Sequence, residues 1–144
     1  MNTKRITEEA DLQEAFRIRK AIFVEEQNVP LEDEFDEFDA LSSECAHVLV
    51  YYDNEPAGTG RIRTVEGAGK LERICILKHY RSFGLGKEIV RGLEAIAVEK
   101  ELSKVKLHGQ THAEGFYQKL GYETASDPFM EDGIPHILMV KELA

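Results

Sequence analysis

The stretch "RICILKHYRSFGLGKEIV", residues 73–90, joins an apolar run to a segment with helical periodicity. Between them, "RSFGLGKE" at residues 81–88 places Gly84 and Gly86 on either side of one leucine, with Arg81 in front. A strand that turns directly into a helix leaves the first amide groups of the helix unpaired, and the helix dipole adds positive potential there. The stretch therefore predicts either a helix start softened by glycine or a cradle for a phosphate group.

Two other phosphate-binding patterns do not fit these residues. A dinucleotide-binding G-x-G-x-x-G pattern needs a third glycine at the position of Ile89. A P-loop needs Ser or Thr after its Gly-Lys pair, and that position holds Glu88. If the loop binds a phosphate, the two glycines let the backbone amides approach it closely, and Arg81 adds a charge-assisted contact.

Hydrophobic periodicity along the chain predicts the element order β-α-β-β-β-α-β-α-β. Thr7 is the predicted N-cap of the first helix. Turn residues at 54–56 and 67–69 predict three neighbouring antiparallel strands, the last of which leads into the loop. Residues 85–97 carry an apolar helical stripe, and Gly121 is a natural end for the last helix. Such a mixed sheet with packed helices is α/β (α+β) in class.

The length and composition favour one folded domain over residues 1–144, with 42% hydrophobic and 31% charged residues. No apolar run approaches the roughly 20 residues of a spanning helix, and the N-terminal residues lack a signal-peptide core. We therefore expect a cytoplasmic protein with no membrane partner. Cys45 and Cys75 lack C-x-x-C spacing and are expected to be free thiols. No metal site is expected, because a break between strand and loop separates His108 from His112.

Acidic residues outnumber basic residues by 27 to 18, and many cluster in "LEDEFDEFD" at residues 31–39. The net charge of −9 disfavours nucleic acid as a partner and favours a cationic or amine partner. The acidic run is most simply a solvated loop. It lacks the glycine and the closing glutamate of an EF-hand, so a calcium site is disfavoured.

The pattern R-x-x-G-x-G directly after an apolar strand resembles the coenzyme A signature of the GNAT acyltransferase superfamily. The longer family pattern V-x-P-x-x-R-x-x-G-x-G is similar to residues 76–86, with Lys78 where proline is usual. A second pattern, N-x-x-A-x-x-F-Y-x-K-x-G-F, is similar to residues 110–122, with Gln110 in place of Asn. "RKAIFVEEQNVP" at residues 19–30 resembles the small ElaA-like branch of bacterial GNAT proteins.

This resemblance implies a mixed, mostly antiparallel sheet of roughly six to seven strands, splayed at its central strands, with helices on both faces. It implies that acetyl-coenzyme A lies in the splayed gap as a co-substrate. It also implies that the acetyl group passes to an amine by direct attack in a ternary complex. The residues that the resemblance assigns to coenzyme A are Ile74, Cys75, Ile76, Arg81, Ser82, Phe83, Gly84, Leu85, Gly86, Lys87, Gln110, Phe116 and Tyr117.

Three residues receive catalytic roles from the resemblance. The backbone N–H of Ile76 donates to the thioester oxygen as it becomes an oxyanion, and Tyr117 protonates the leaving thiolate. Glu72, expected on the same strand face as Ile74, is the candidate base for an ammonium acceptor. Structural alternatives stay open: Glu72 pairs with an arginine of the neighbouring strand, and Tyr117 is a core aromatic. An acyl-cysteine at Cys75 is disfavoured, because its side chain is expected to face away from Glu72.

The acceptor is the least determined partner. By the resemblance, the segment between the first helix and the next strand covers the acceptor cleft. Its acidity favours a cationic amine, either a small molecule or a peptide. GNAT relatives often dimerise, so a homodimer is a further expectation. The residues predicted to line the acceptor pocket are Arg19, Phe23, Glu26, Asp36 and Asp39.

Two other functions fit part of the pattern. The motifs R-x-x-x-F and E-x-D-x-x-D resemble those of acyl-homoserine-lactone synthases, at Arg19, Phe23, Glu34, Asp36 and Asp39. Those synthases are longer and usually carry a tryptophan after the first motif, and this chain has no tryptophan. The other alternative is a binding module that senses acyl-coenzyme A without turnover, which the presence of both an acid and a base candidate disfavours.

Overall fold

The computed structural model describes residues 2–41 and 44–143, and these residues form one mixed sheet of eight strands. The strands are β1 (Asn2–Arg5), β2 (Cys45–Tyr52), β3 (Glu55–Val65), β4 (Ala68–Ile76), β5 (Lys104–Gln110), β6 (Glu123–Thr124), β7 (Phe129–Glu131) and β8 (Ile134–Glu142). Across the sheet they follow the order β1-β2-β3-β4-β5-β8-β6, and β7 also pairs with β8.

Two hairpins connect β2, β3 and β4 through pairs of residues with positive φ, a turn whose twist suits paired strands. Asp53 and Asn54, with φ of 53° and 66°, join β2 to β3, and Glu66 and Gly67, with φ of 51° and 80°, join β3 to β4. The predicted set of three neighbouring antiparallel strands is therefore confirmed. Pro56, expected in the first turn, instead lies in β3 and pairs with β2.

The helices are α1 (Glu9–Arg19), which continues as a π-helix (Lys20–Glu26), α2 (Leu31–Glu34), α3 (Leu85–Glu99) and α4 (Glu114–Lys119). Short 3-10 helices, Lys78–Tyr80 and Thr111–Ala113, precede α3 and α4. The predicted N-cap at Thr7 is wrong, because α1 begins after Glu8, whose side chain makes no capping hydrogen bond. Gly121, with φ of 96°, follows the end of α4 as predicted.

A hydrophobic core lies on each face of the sheet. On one side, which we call the α3 face, α3 packs its apolar stripe against β2, β3 and β4. On the other side, the α1 face, Leu12 and Ile18 of α1 pack against Leu49 of β2. Val48 and Val50, on either side of Leu49, belong to the α3-face core, as the alternation of strand side chains requires. The stripe of α3 consists of Leu85, Ile89, Leu93 and Ile96.

The sheet is interrupted between its two central strands. β4 pairs with β5 in parallel only at residues 69–71 and 105–107. Beyond these pairs, β4 continues to Ile76 beside β3, and β5 continues to Gln110 beside β8. A wedge-shaped gap therefore opens between the two strands, and the backbone edges that line it lack a strand partner there.

A β-bulge at Arg73 determines which face the end of β4 presents. Arg73 has a φ of 57°, and the pairing with β3 slips by one residue between Glu72 and Cys75. Leu71 packs in the α3-face core, so Glu72 lies on the α1 face, and Cys75 also packs there, whereas Ile74 packs toward the α3 face. The expectation that Glu72 shares a face with Ile74 and not with Cys75 is therefore wrong.

The predicted fold class is confirmed: the described residues form a mixed, mostly antiparallel sheet, splayed at its central strands, with helices on both faces. The sheet has more strands than expected because β6 and β7, of two and three residues, add to it. No helix within residues 2–41 and 44–143 is long and apolar enough to cross a membrane.

Candidate active site

The gap between β4 and β5 opens into a cavity of about 680 Å³, which we call the cleft. Its lining comes from the π-helix and α2, from β3, β4 and β5, from α4, and from the β7–β8 hairpin. The structure thus brings distant parts of the sequence together at one place. Among the residues predicted for a site, those that line the cleft are Phe23, Glu26, Asp36, Glu72, Ile74, Cys75, Ile76, Arg81, Gln110 and Tyr117.

The predicted phosphate cradle is the start of α3, next to the cleft. Gly84 is the N-cap residue, with a φ of 77°, and no side chain caps the first turn of this 15-residue helix. Left-handed backbone favours glycine at this position. A Cβ at Gly86 would lie 3.1 Å from Cζ of Phe116, so a larger residue there would crowd that ring. The loop therefore presents backbone amides with little side-chain cover, as an anion-binding site requires.

The other side chains of this loop lie outside the cleft lining. Leu85 is fully buried in the α3-face core, so only its backbone can face a ligand. Phe83 stacks on Tyr52, with ring centroids 4.4 Å apart and 5° between the ring planes. Ser82 and Lys87 are exposed. Contacts of these residues with a cofactor stay predictions.

Arg81 connects the cradle to the opposite side of the cleft. Its Nε donates a hydrogen bond of 2.9 Å to the carbonyl oxygen of Ile76. Its Nη2 lies 2.8 Å from Oε2 of Glu26, on the π-helix. The guanidinium is therefore placed beside both the amides of α3 and the edge of β4.

The backbone N–H of Ile76 points into the gap. The next amide, that of Leu77, donates to the carbonyl oxygen of Ala57 on the β3 side at 2.8 Å. Because successive residues of a strand direct their amides to opposite sides, the Ile76 amide faces away from β3. The bond between Arg81 and the carbonyl of Ile76 fits this orientation. The donor predicted for an oxyanion thus faces the cleft.

Cys75 is buried among the side chains of the α1-face core. Burial raises the pKa of its thiol well above the ordinary value. A thiol that stays protonated is a weak nucleophile, so an acyl-cysteine intermediate is disfavoured. Cys75 can therefore contribute to the cleft only through its backbone.

Glu72 is held in a cluster of cations. Its carboxylate lies 2.9 Å from Arg61, 3.0 Å from Arg63 and 3.1 Å from Lys70. Burial by itself raises the pKa of Glu72, but these three cations together lower it to about 2. Such a carboxylate is a weak proton acceptor. The contacts correspond to the structural alternative, in which Glu72 pairs with arginines of the neighbouring strand. Glu72 is therefore disfavoured as the base.

A buried ion-pair network connects the acidic segment to α1 and to the sheet. Arg19 and Arg61 are both about 1% exposed, and each pairs with Asp39. Arg19 also lies 2.9 Å from Glu34, and Arg61 lies 2.9 Å from Asp36. The acidic run is therefore not a solvated loop as expected, because its carboxylates neutralise two buried guanidinium groups.

This network corrects part of the predicted acceptor pocket. Arg19 and Asp39 are buried in ion pairs and do not line the cleft, so their assignment as pocket-lining residues is wrong. Phe23, Glu26 and Asp36 do line it. Residues of the predicted segment line the cleft, but the sequence could not separate side chains that face the cleft from those that anchor the segment.

Tyr117 reaches the cleft from α4, on the α3 face of the sheet. Its ring lies edge-on to Phe116, with centroids 5.0 Å apart, and burial raises the pKa of Tyr117 to about 12. The hydroxyl therefore stays protonated at neutral pH. Gly109, which the sequence analysis missed, makes room for this ring, because a Cβ there would lie 3.2 Å from Cε2 of Tyr117.

Gln110 lies at the end of β5 and spans the cleft. Its Nε2 donates to Oε1 of Gln27 at 3.1 Å, and its Oε1 lies 2.7 Å from Nε2 of His112. The side chain thus links β5 to the segment after the π-helix. A direct contact with coenzyme A stays a prediction.

The sequence analysis also missed a cluster of three residues in the cleft. Nδ1 of His108 lies 2.9 Å from Oε1 of Glu131, and Oε2 of Glu131 lies 3.7 Å from Nε2 of His136. The spacing in the sequence singled out His108 only as a possible zinc ligand together with His112, which was disfavoured. No group of three or more His, Cys, Asp or Glu that could hold a metal is present in the described parts of the chain.

Comparison with known proteins assigns the chain to a family. The model of the acetyltransferase (GNAT) domain matches residues 13–143. The protein YyaT of Bacillus subtilis (strain 168) is 64% identical over 144 residues, covering 100% of this chain and 97% of that protein. A protein of the same organism named "uncharacterized N-acetyltransferase YjcF" is 46% identical over 135 residues, covering 93% and 94%.

Solved structures have the same fold. ElaA of Escherichia coli is similar with a TM-score of 0.85 at 26% identity, covering 98% of this chain and 99% of that chain. An aminoglycoside 6'-N-acetyltransferase complexed with coenzyme A is similar with a TM-score of 0.77 at 14% identity, covering 100% and 98%. The chain belongs to the GNAT acetyltransferase family, and the predicted N-acetyltransferase class with an ElaA-like resemblance is confirmed.

The ion-pair network makes stability depend on pH in the acid range. Although burial opposes ionisation, Arg19 and Arg61 lower the pKa of Asp39 to about 2. Because this pKa is below its unfolded value, the network stabilises the protein fully above about pH 4 and loses this contribution as the pH falls toward 2. Asp39→Asn should lower the free energy of unfolding by roughly 1.5–3 kcal/mol at pH 7, measured by urea unfolding. As the pH falls from about 4 toward 2, the free energy of unfolding of this variant should decline less than that of the wild type.

Asp127→Asn, an exposed carboxylate outside the network, is the matched control and should follow the wild type. If the urea midpoints of the wild type and of Asp39→Asn declined in parallel, Asp39 would not be responsible for the acid sensitivity.

Proposed function

We propose that this protein transfers the acetyl group of acetyl-coenzyme A to an amine by direct attack in a ternary complex. One observation carries the proposal: the glycine cradle at the start of α3 lies beside the cleft between β4 and β5, and the free edge of β4 and Tyr117 line that cleft. A coenzyme A thioester carries a pyrophosphate, an extended arm with amide groups and a thioester, in that order. The cradle suits the pyrophosphate, the free edge of β4 suits the arm, and Tyr117 suits the thioester. The family assignment and the coenzyme A complex of a protein with the same fold support it.

The residues present fit a coenzyme A donor. The uncapped amides of α3 and the guanidinium of Arg81 suit a pyrophosphate. Glu26 now pairs with Arg81, so a bound phosphate would compete with this carboxylate for the guanidinium. The unpaired backbone of β4 at Ile74 and Ile76 suits the amide groups of an extended arm, as in the addition of a strand to a sheet edge.

Two groups on the gap suit acyl transfer. The Ile76 amide donates to the carbonyl oxygen and strengthens this bond as negative charge develops there. The Tyr117 hydroxyl donates to the sulfur and gives it a proton as the carbon–sulfur bond breaks and the carbon–nitrogen bond forms. Burial keeps this hydroxyl protonated over the neutral range, so the acid is always in its active form.

The acceptor side of the cleft is rich in carboxylates. Asp33 and Asp132 line it together with Glu26 and Asp36, which pair with Arg81 and Arg61, and a positively charged amine is attracted to such carboxylates. A small-molecule or peptide amine therefore remains the proposed acceptor class. The homodimer and the cytoplasmic location stay predictions from the sequence.

Incubation of the purified protein with acetyl-coenzyme A and a panel of amines tests this function. We expect release of free thiol that depends on the amine, with diamines and other cationic amines preferred over neutral or acidic ones. Tight binding of acetyl-coenzyme A with no thiol release for any amine would favour the sensing module instead.

Arg81→Ala tests the cradle. Loss of a charge-assisted hydrogen bond of roughly 1.5–3 kcal/mol should weaken coenzyme A binding by about 10- to 100-fold, measured by calorimetry. Arg91→Ala, an exposed arginine on α3, removes the same charge away from the cleft and should bind normally. Equal affinity for both variants would place the pyrophosphate elsewhere.

Tyr117→Phe tests the general acid. We expect kcat to fall by about 10²- to 10⁴-fold while the dissociation constant of coenzyme A stays unchanged, because only the proton donor is lost. Tyr122→Phe removes the neighbouring buried hydroxyl, which bonds to Glu94 rather than facing the cleft, and should retain kcat. An unchanged rate for Tyr117→Phe at every pH would rule out the assignment.

A further inference from the structure

We propose that His108, oriented by Glu131, accepts the proton of the attacking amine. The inference rests on the proposed acetylation of an amine, which in its ammonium form must lose a proton before its nitrogen can attack. Glu72, the candidate from the sequence, is neutralised by three cations and is a weak base. The proton acceptor is therefore sought among the other groups at the narrow end of the gap.

His108 lies at the point where the two central strands separate. The last residues paired between β4 and β5 are Leu71 and Leu107, and both pack in the α3-face core. The next residue on each strand, Glu72 on β4 and His108 on β5, therefore lies on the α1 face, the side covered by the π-helix and α2. Both line the cleft, so they flank its narrow end on the acceptor side. Within the described residues, Glu72 contacts three cations, whereas His108 contacts the carboxylate of Glu131.

The contact with Glu131 determines the chemistry of the ring. A carboxylate accepts hydrogen bonds, so the Nδ1 that lies 2.9 Å from Oε1 of Glu131 carries the proton. In the neutral ring, Nε2 then holds a lone pair and can accept a proton. Phe129 fixes the ring from one side, with an edge contact of 5.0 Å between centroids. The carboxylate also stabilises the imidazolium that forms.

His136, on β8, lies beside Glu131. Its Nδ1 lies 2.7 Å from the carbonyl oxygen of Ile134, which can only accept, so this nitrogen is the donor. Its Nε2 lies 3.7 Å from Oε2 of Glu131. The β7–β8 hairpin turns at Asp132 and Gly133, where two positive φ angles of 53° and 76° bring Glu131 back over β5.

The proton balance closes with two protein groups on opposite faces of the sheet. An ammonium acceptor loses two protons when it becomes an amide. Nε2 of His108 takes the first and releases it to solvent, to which the side chain is 31% exposed. The second balances the proton that Tyr117 gives to sulfur, because water returns it to the phenolate. The products are the amide, the free thiol and one proton.

Several other ionisable groups contribute to the field at His108, and a pH profile must be compared between variants for that reason. Glu131 contacts the ring directly, and His136 lies next to Glu131. The other charged or titratable side chains of the cleft lining are Glu26, Asp33, Glu34, Asp36, Arg61, Arg63, Lys70, Glu72, Arg73, Cys75, Arg81, His112, Tyr117 and Asp132.

The test compares wild type, His108→Gln, Glu131→Gln and the control His79→Gln with the best alkylamine of the panel. His79 is exposed on a 3-10 helix and does not line the cleft. We expect His108→Gln to lower kcat/KM at neutral pH by about 10²- to 10⁴-fold and to lose the acid limb of the pH profile. Its residual rate should then rise in proportion to the unprotonated fraction of the amine.

A second acceptor separates a proton-transfer role from a structural role. With 2,2,2-trifluoroethylamine, which is already neutral at pH 7, His108→Gln should lose much less activity than with an alkylamine. Glu131→Gln should show the same pattern with a smaller loss, because it only positions the ring. Coenzyme A affinity reports an intact cleft and should stay unchanged in each variant.

The failure of each proposal gives a different result. If the wild type turns over the alkylamine and His108→Gln keeps its acid limb, or loses equal activity with both amines, His108 is not the base and the proposed function stands. If the wild type releases no thiol with any amine, the proposed function fails and the role of His108 fails with it.

Discussion

The structure depends on the early end of the parallel pairing between β4 and β5. Only residues 69–71 and 105–107 pair, after which each strand is held by its outer neighbour, β3 for β4 and β8 for β5. Backbone groups left without a strand partner at a sheet edge favour the addition of an extended chain. The same gap exposes the Ile76 amide, and side chains from both faces of the sheet line it. A continuous sheet would have no cleft at this place.

A second constraint keeps the cover of the cleft in position. Arg19 and Arg61 are buried and share Asp39, so α1, the acidic segment and β3 are joined through one carboxylate. Loss of Asp39 would leave each guanidinium with one carboxylate fewer, at a cost of roughly 1.5–3 kcal/mol. Glu34, at the end of the short α2, pairs with Arg19 of α1 and with Arg73 of β4, and these ion pairs hold α2 beside the sheet. The acidic run thus has a structural role in addition to its charge.

The cleft divides its chemistry between the two faces of the sheet. Tyr117 lies on the α3 face with the start of α3, which is the proposed donor side. His108 and Glu131 lie on the α1 face below the π-helix, which is the proposed acceptor side. Arg81 and Glu26 pair across the mouth, so the two sides are in electrostatic contact. In the proposed reaction, the strands therefore keep the group that acts on the thiolate apart from the group that acts on the amine.

The sequence by itself determined the features that are local in the chain. The glycine cradle, the stripe of α3, the hairpins and the end of α4 at Gly121 each depend on residues within one or two elements, and their periodicity and turn chemistry identify them. Through the family resemblance, the sequence also indicated that the sheet is splayed at its central strands. Only the tertiary structure decided which side chains share a face.

The bulge at Arg73 inverts the alternation of β4, and no periodicity argument detects a single residue in left-handed backbone. The fold also brings together residues that are far apart in the chain. Arg19 and Asp39, 20 positions apart, form the ion pair that anchors the acidic segment. His108 and Glu131, 23 positions apart, form a hydrogen bond. Ion pairs and hydrogen bonds form between neighbours in space, and the sequence pattern encodes only neighbours along the chain.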